Sequence, residues 1–431
     1  MCIRINGSAI QEVAPGLIPH TNEHVVDGSS LVAIPGLINT HHHFFQSLTR
    51  CLPASQNSGL FEWLTLHYPI WKHFDEKMFR ASFRLAIAEL ILSGCSTSCD
   101  HMYLFPSEVQ SDLIGLQVEC AEELGLRFAA LRGSMTMGRS MGGLPPDDIV
   151  EKDGDVLRHC ETSVRAFHDS RQYSMRQVHL APCTPFNVSE ALMRDTASLA
   201  RHLGVRMHTH LAETTDETAF CMSRYGKRPL ALMQEWGWLG EDVWFAHGVH
   251  FNAQEVALLA ATQTGVAHCP SSNCRLGSGK ASIRSMLEAG VPVGLAVDGC
   301  ASNDSSHMLG ELRQTLLLHR TQEDRAFFTA RRILDLATLG SARLLGRSDI
   351  GRLQPGMAAD IALFDSNELG YAGSAADPIA ALIFCAPARP HTVIVDGNII
   401  VQARELLTGD ESQIAANARL QAARLTKCAS L

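Results

Sequence analysis

Pro35-Gly36-Leu37-Ile38-Asn39-Thr40-His41-His42-His43 is an apolar run that breaks into three histidines. Three segments much further along end in the same manner: His208-Thr209-His210-Leu211-Ala212-Glu213, Phe245-Ala246-His247 and Val297-Asp298. Side chains alternate along a strand, so His41 and His43 leave one face and His42 the other. For four distant strand ends to meet at one point, the strands must run side by side in one direction. A (β/α)8 barrel does this: it gathers the C-terminal ends of its strands around one mouth, where a hydrolytic metal can sit.

The rest of the chain supports that plan. From about residue 31 to 345, strand-like runs alternate with longer amphipathic stretches, as repeated βα units require. The candidate strands are Val32–Asn39, Cys95–Asp100, Arg127–Arg132, Gln177–Ala181, Arg206–His210, Val243–Ala246, Gly265–His268 and Val291–Val297. Helices are predicted at Phe79–Leu92, Leu113–Leu124 and Glu190–Leu203, stopped by Gly94, Gly125 and Gly204. Asn252-Ala253-Gln254-Glu255 has the form of a capping box, and Ala330–Leu345 reads as the final helical stretch. Beyond it, the turn Gly351–Gly356 leads into a short strand, and Thr392–Val401 forms a hairpin about Asp396-Gly397. The predicted fold is therefore α/β: a TIM-type barrel over 35–350, beside a small β-sandwich. That sandwich combines 1–34 with 351–431, which ends in a terminal helix.

With 431 residues the chain is long enough for one barrel and a small appendage. No apolar run approaches the roughly 18 residues of a membrane helix, and the N-terminus lacks the charged and apolar regions of a secretory signal. The 13 cysteines are odd in number and scattered, which points to free thiols in a reducing cytoplasm. A net charge of −9 without a Lys/Arg cluster argues against a nucleic-acid partner and for a small neutral or weakly anionic substrate.

Neutral imidazoles and a carboxylate suit Zn²⁺, or another borderline ion such as Fe²⁺. His41, His43, His210 and Asp298 would leave room for a water whose pKa falls towards roughly 7. Asp298 can also accept that water's proton. Glu213 can carry a proton to a substrate nitrogen, and His247 can orient the water or polarise the developing tetrahedral centre. The pattern leaves alternatives open. His208 shares a face with His210 and could replace it; Asp298 could cap the following segment. Glu213 could be a solvated acid at a helix start, and His247 a hydrogen-bonded core residue. Two other zinc signatures are absent: there is no His-Glu-x-x-His, and Pro182-Cys183 lacks the second cysteine of a Pro-Cys-x-x-Cys motif.

Taken together, Pro35-Gly36 with His41-x-His43, His210-x-x-Glu213, His247, Asp298 and Gly356-Met357-Ala358-Ala359-Asp360 resemble the amidohydrolase superfamily. The likeness is to its branch that deaminates or dechlorinates nitrogen heterocycles. Within that branch, Asn39–Gln46, Leu131–Met135, Gly143–Pro146, Ala181–Phe186 and Asp298–Asp304 are most similar to 8-oxoguanine deaminases, and triazine hydrolases look similar over the same segments. The resemblance implies one divalent metal per chain on His41, His43, His210 and Asp298, with Glu213 and His247 in the roles above. Water would replace an amino group on a ring carbon and expel ammonia; with 8-oxoguanine the product would be urate. The alternatives are another heterocycle (a hydroxyatrazine-type triazine, a pterin or guanine) or a non-catalytic binding barrel. Gln46, Arg132, Cys183, Ser272, Asn273 and Asn303 are candidates for reading the ring, and the aromatic segment Phe61–Trp71 for a lid. The resemblance also implies a homo-oligomer. Members of the family carry a longer β segment before strand one; here 1–34, with Gly7, Pro15, Gly16 and Pro19, is expected to be irregular and the sandwich incomplete.

Overall fold

The computed structural model describes residues 1–321 and 325–429. Eight parallel strands pair in sequence: Leu37–Asn39, Cys95–Met102, Arg127–Ser134, Arg176–Pro182, Met207–Leu211, Val243–His247, Gly265–His268 and Val293–Leu295. The last meets the first where the Thr40 amide donates to the Leu295 carbonyl at 3.2 Å. A two-residue parallel ladder then completes the seam, pairing Asp298 with His42 and Gly299 with His43.

All eight predicted strands are present, but Val32–Asn39 is not one strand. Leu31–Pro35 pairs antiparallel with Ile361–Asp365 outside the barrel, and only Leu37–Asn39 enters it. Both halves are apolar, so hydrophobicity alone does not separate them. The break falls at Gly36, where an added Cβ would overlap the Ser96 side chain and where the amide donates to the Asp360 carbonyl at 2.9 Å. The helices Leu113–Leu124 and Glu190–Leu203 end on left-handed Gly125 and Gly204, as predicted, and Asn252 and Glu255 form the capping box. The final helical stretch is interrupted: Ala330–Asp335 passes through a π-helical turn, Leu336–Gly340, before Ser341–Leu344.

Beside the barrel lies a five-stranded antiparallel sheet, in the order Glu405–Leu406, Asn398–Gln402, Thr392–Val395, Ile361–Asp365 and Leu31–Pro35. The expectation of an irregular N-terminal segment is corrected here. Cys2–Asn6 and Ala9–Ala14 form an antiparallel hairpin turning at Gly7, where φ is +55°. Ile3, Ile5, Ile10 and Val13 pack against Ile361 and Ile394, while Arg4 pairs with Glu12 in place of apolar contact. The strandless part of the segment is limited to residues 15–30. Arg127, at the start of the third barrel strand, holds Asp360 in a buried two-pronged pair with contacts of 2.8 and 2.9 Å. The terminal helix Glu411–Cys428 lies on Glu76–Ile91. All 13 cysteines are free thiols, and among the described residues no helix is long and apolar enough to cross a membrane.

Candidate metal centre

The strand ends bring the predicted ligands to one buried point. His43 Nε2 lies 3.0 Å from His210 Nε2. Asp298 Oδ1 lies 3.1 Å from His41 Nε2 and 3.3 Å from His43 Nε2. Donor atoms of His41, His210, His247 and Asp298 all fall within 4.8 Å of one another, as do those of His41, His43, His101 and His210.

The outer nitrogens of these rings determine what the inner ones can do. His43 Nδ1 faces the His101 carbonyl at 2.8 Å, and His210 Nδ1 faces the Cys183 carbonyl at 2.8 Å. A carbonyl only accepts, so each Nδ1 carries the proton and each Nε2 is a bare lone pair. For His41 the reasoning runs through one more ring. His208 Nδ1 donates to the Trp244 carbonyl at 2.9 Å, so His208 Nε2 must accept from His41 Nδ1 at 2.7 Å. That resolves the alternative left open by the sequence: His208 lies behind His41 and orients it. Burial holds the His41 and His210 rings neutral, with His210 pushed down to about 3. Three bare nitrogens and a carboxylate oxygen pointed at one another repel unless a cation shares them, and buried His41 Nε2 has no hydrogen-bond partner. The donor set therefore fits a divalent ion of the zinc type.

The remaining groups surround this point. Ala212, His247 and Asp298 leave their strands with φ of +53°, +73° and +63°, a left-handed geometry that costs a non-glycine residue about 1–3 kcal/mol and clusters at functional sites. Each turn is tied down. The buried Glu217 carboxylate accepts from the amides of Ala212 at 3.1 Å and Glu213 at 2.9 Å. Asp298 Oδ2 accepts from the hydroxyls of Ser272 at 2.5 Å and Ser302 at 3.0 Å, leaving Oδ1 to the histidines. His247 Nδ1 donates to Asn273 Oδ1 at 2.9 Å, and its Nε2 lies 3.6 Å from Glu213 Oε2. Burial, with Asp298 adding to it, pushes the Glu213 carboxyl well above the usual carboxylate range.

A cavity of about 30 Å³ adjoins these groups, lined on one side by Leu60, Trp63, Leu64 and Tyr68 of the helix Leu60–Trp71. A wider cleft of about 570 Å³ opens at the opposite end of the strands, beside Arg206 and Pro292, where no such donor set converges among the described residues. Of the predicted ring readers, Gln46 and Cys183 line the cavity. Arg132, Ser272, Asn273 and Asn303 do not, and their polar groups are already engaged. Arg132 is paired with Glu151 at 2.6 Å and stacks over Phe105, while Ser272 and Asn273 brace Asp298 and His247. Asn303 donates to the Val297 carbonyl at 2.6 Å and to Glu311 at 2.8 Å. Sequence reasoning missed His101, Tyr68, Tyr103 and Asn187. Tyr68 lies within the segment Phe61–Trp71 marked as a candidate lid, and His101 is the next residue after the predicted second strand, which in the structure runs two residues further, to Met102.

Comparison with known proteins agrees with this geometry. A sequence model of the amidohydrolase family matches residues 32–400. The chain is 46% identical to an 8-oxoguanine deaminase of Pseudomonas aeruginosa, over 86% of this chain and 82% of that one. It is 40% identical to an isoxanthopterin deaminase of an unknown prokaryotic organism, over 86% and 80%. In three dimensions it matches a zinc-complexed atrazine chlorohydrolase from Arthrobacter aurescens with a TM-score of 0.92 and 32% identity, over 97% of this chain and 94% of that one.

Proposed function

The chain belongs to the amidohydrolase family, and from that premise we propose that it is a metal-dependent aminohydrolase converting 8-oxoguanine and water into urate and ammonia. The observation that carries this reading is the convergence of three bare imidazole nitrogens and the Asp298 carboxylate beside the buried Glu213 carboxyl. His41, His43, His210 and Asp298 would hold one ion per chain, zinc in preference to ferrous iron given the zinc-complexed structural relative. When bound, the ion would lower the pKa of a water towards roughly 7 and so make a nucleophile available at neutral pH.

The protein's own residues account for the proton traffic. Asp298 Oδ1 stands where it can take the proton that the attacking water gives up. His247 Nε2, with its opposite nitrogen committed to Asn273, is an acceptor; this fits orienting the water, whereas polarising an oxyanion would require a second proton on the ring. Glu213 supplies its proton to the ring nitrogen, the proton taken up by Asp298 passes to the departing amino group, and Glu213 recovers a proton from the new hydroxyl as the carbonyl forms. A C–O bond forms, the C–N bond breaks, and ammonia leaves. Among the described residues no lysine or arginine lines the cavity, which favours an uncharged ring. We read 35–350 as the catalytic barrel and 1–34 with 351–431 as its small β unit; the free thiols support a reducing, cytoplasmic setting.

The test is ammonia release by the zinc-reconstituted protein from 8-oxoguanine, guanine, isoxanthopterin and hydroxyatrazine. Turnover of 8-oxoguanine above the others is expected. The 40% identity to an isoxanthopterin deaminase makes the pterin the second reading. Turnover of that compound alone would keep the mechanism and change the substrate, and release from none would overturn the function.

A further inference from the structure

The cleft of about 570 Å³ lies at the starts of the barrel strands, remote from the metal centre. Arg206 precedes the fifth strand and Pro292 the eighth, and the chain leaving the last helical turn supplies the rest of the wall. Among the described residues four arginines, Arg206, Arg343, Arg347 and Arg352, line it with one carboxylate, Glu241. In a chain of net charge −9 this is a local reversal of sign. The volume falls within the roughly 300–1,000 Å³ of small-molecule pockets.

The four guanidiniums are not equivalent. Arg347 is fully engaged: its Nε and Nη2 donate to Asp349 at 2.7 and 2.8 Å, and its Nη1 to the Ser174 carbonyl at 3.0 Å. Arg206 is half-buried and donates only to backbone carbonyls, those of Leu344 at 2.9 Å and of Glu241. Burial draws its pKa below the ordinary guanidinium value, and Asp242 and Glu241 counter this only in part. Asp242 is itself committed to Arg201 at 2.9 Å. Arg343 donates to the neutral Gln263 Oε1 at 2.5 Å. Arg352 has neither a hydrogen bond nor an ion pair among the described residues, although Asp335 lies within its field.

A guanidinium taken partly out of water without a counter-ion is costly, and an anion in the cleft would relieve that cost. With Arg347 neutralised by Asp349, three guanidiniums share the cleft with Glu241, and a phosphate monoester of charge about −1.5 to −2 balances the excess. Guanidiniums suit phosphate oxygens because their N–H donors come in planar pairs. Val243, Pro292, Leu344 and Met357 give the wall apolar surface for more than a bare ion. We infer that this cleft is a second, non-catalytic binding site, and that its ligand is a small organic phosphate monoester held by Arg206, Arg343 and Arg352. The metal donors leave the opposite ends of the same strands, so this ligand is not the one that is hydrolysed.

Calorimetric titration of the zinc-loaded protein with uridine 5′-monophosphate, glucose 6-phosphate, uridine and inorganic phosphate tests this. At least one ester should bind at one per chain with a Kd below about 1 mM, about tenfold or more tighter than inorganic phosphate. Uridine should not bind, and added salt should weaken the ester. Which ester binds tells a nucleotide from a sugar phosphate. Arg343 and Arg352 are exposed, so their substitution leaves the core untouched. Arg343→Gln and Arg352→Gln should each weaken ester binding about tenfold or more, the loss of one charge-assisted contact. Zinc content and the thermal midpoint without ester should stay as they were. Failure of both esters to bind, equal binding of inorganic phosphate or of uridine, or an affinity that survives both substitutions overturns the inference.

Discussion

The four imidazoles of His41, His43, His210 and His247 carry their proton on the nitrogen facing away from the shared point, because each outer nitrogen meets an acceptor. His208 is the least obvious of these supports, and His208→Leu should weaken zinc binding about 10–100-fold while leaving the fold intact. Competition with a chelator measures it; an unchanged affinity would mean that the His41 tautomer needs no fixing. Glu213→Gln should lower kcat by about 10²–10⁴ with full zinc content, since it removes the transferable proton and little else. The six groups of the centre could be read from sequence because each ends a short apolar run, and strand periodicity then fixes its face. Arg132 was misjudged for the complementary reason. A strand-end arginine is visible in the sequence, but its partner Glu151 arrives from a separate loop and satisfies it away from the cavity. Tyr103 and Asn187 sit on no recognisable pattern; only the folded wall brings them together.

Among the elements, the helix Leu60–Trp71 borders the site. The cavity it lines holds no more than one or two waters, so a bicyclic ring is accommodated only if lining side chains move. Trp63 ties the helix down, donating through Nε1 to the Ala301 carbonyl at 3.2 Å. His67 lies within the same helix, set at a tilt between Trp63 and Trp71 with ring centroids 4.3 and 5.0 Å away, and its Nδ1 donates to the Trp63 carbonyl. Burial depresses its pKa from 6.5 to about 4. Between those values the unfolded chain binds a proton that the native one refuses. Its contribution is thus complete above pH 6.5 and lost as pH falls towards 4, by up to about 3 kcal/mol. His67→Phe should flatten that part of the acid dependence of the urea midpoint, and an identical pH slope in the variant would dismiss the idea. The aromatic content marked this segment in the sequence, but composition alone does not distinguish a site-bordering helix from a core helix. Helix ends at Gly125 and Gly204 were legible because an αL cap demands glycine. The split at Gly36 was not, because it depends on Ser96 and Asp360, which are remote in the chain.

At the scale of the molecule, the barrel and the small sheet are joined by the buried pair of Arg127 and Asp360, with the Asp396 amide donating to the same carboxylate at 2.9 Å. Asp360→Ala leaves a buried guanidinium unpaired and should cost about 3–5 kcal/mol in denaturant unfolding, without changing kcat of the folded enzyme. Removing the ion with a chelator should lower the thermal midpoint by several degrees while far-UV dichroism at room temperature stays the same, because the ligand stabilises only the native state. Where that ion binds has a consequence for how the chain is made. The seam pairs His42 and His43 with Asp298 and Gly299, so the ligands of the first unit meet the ligand of the last only when every unit between them has been laid down in order. Catalytic competence is therefore a checksum on topology. A nascent chain with seven units in place cannot assemble the centre, because Asp298 arrives only with the eighth.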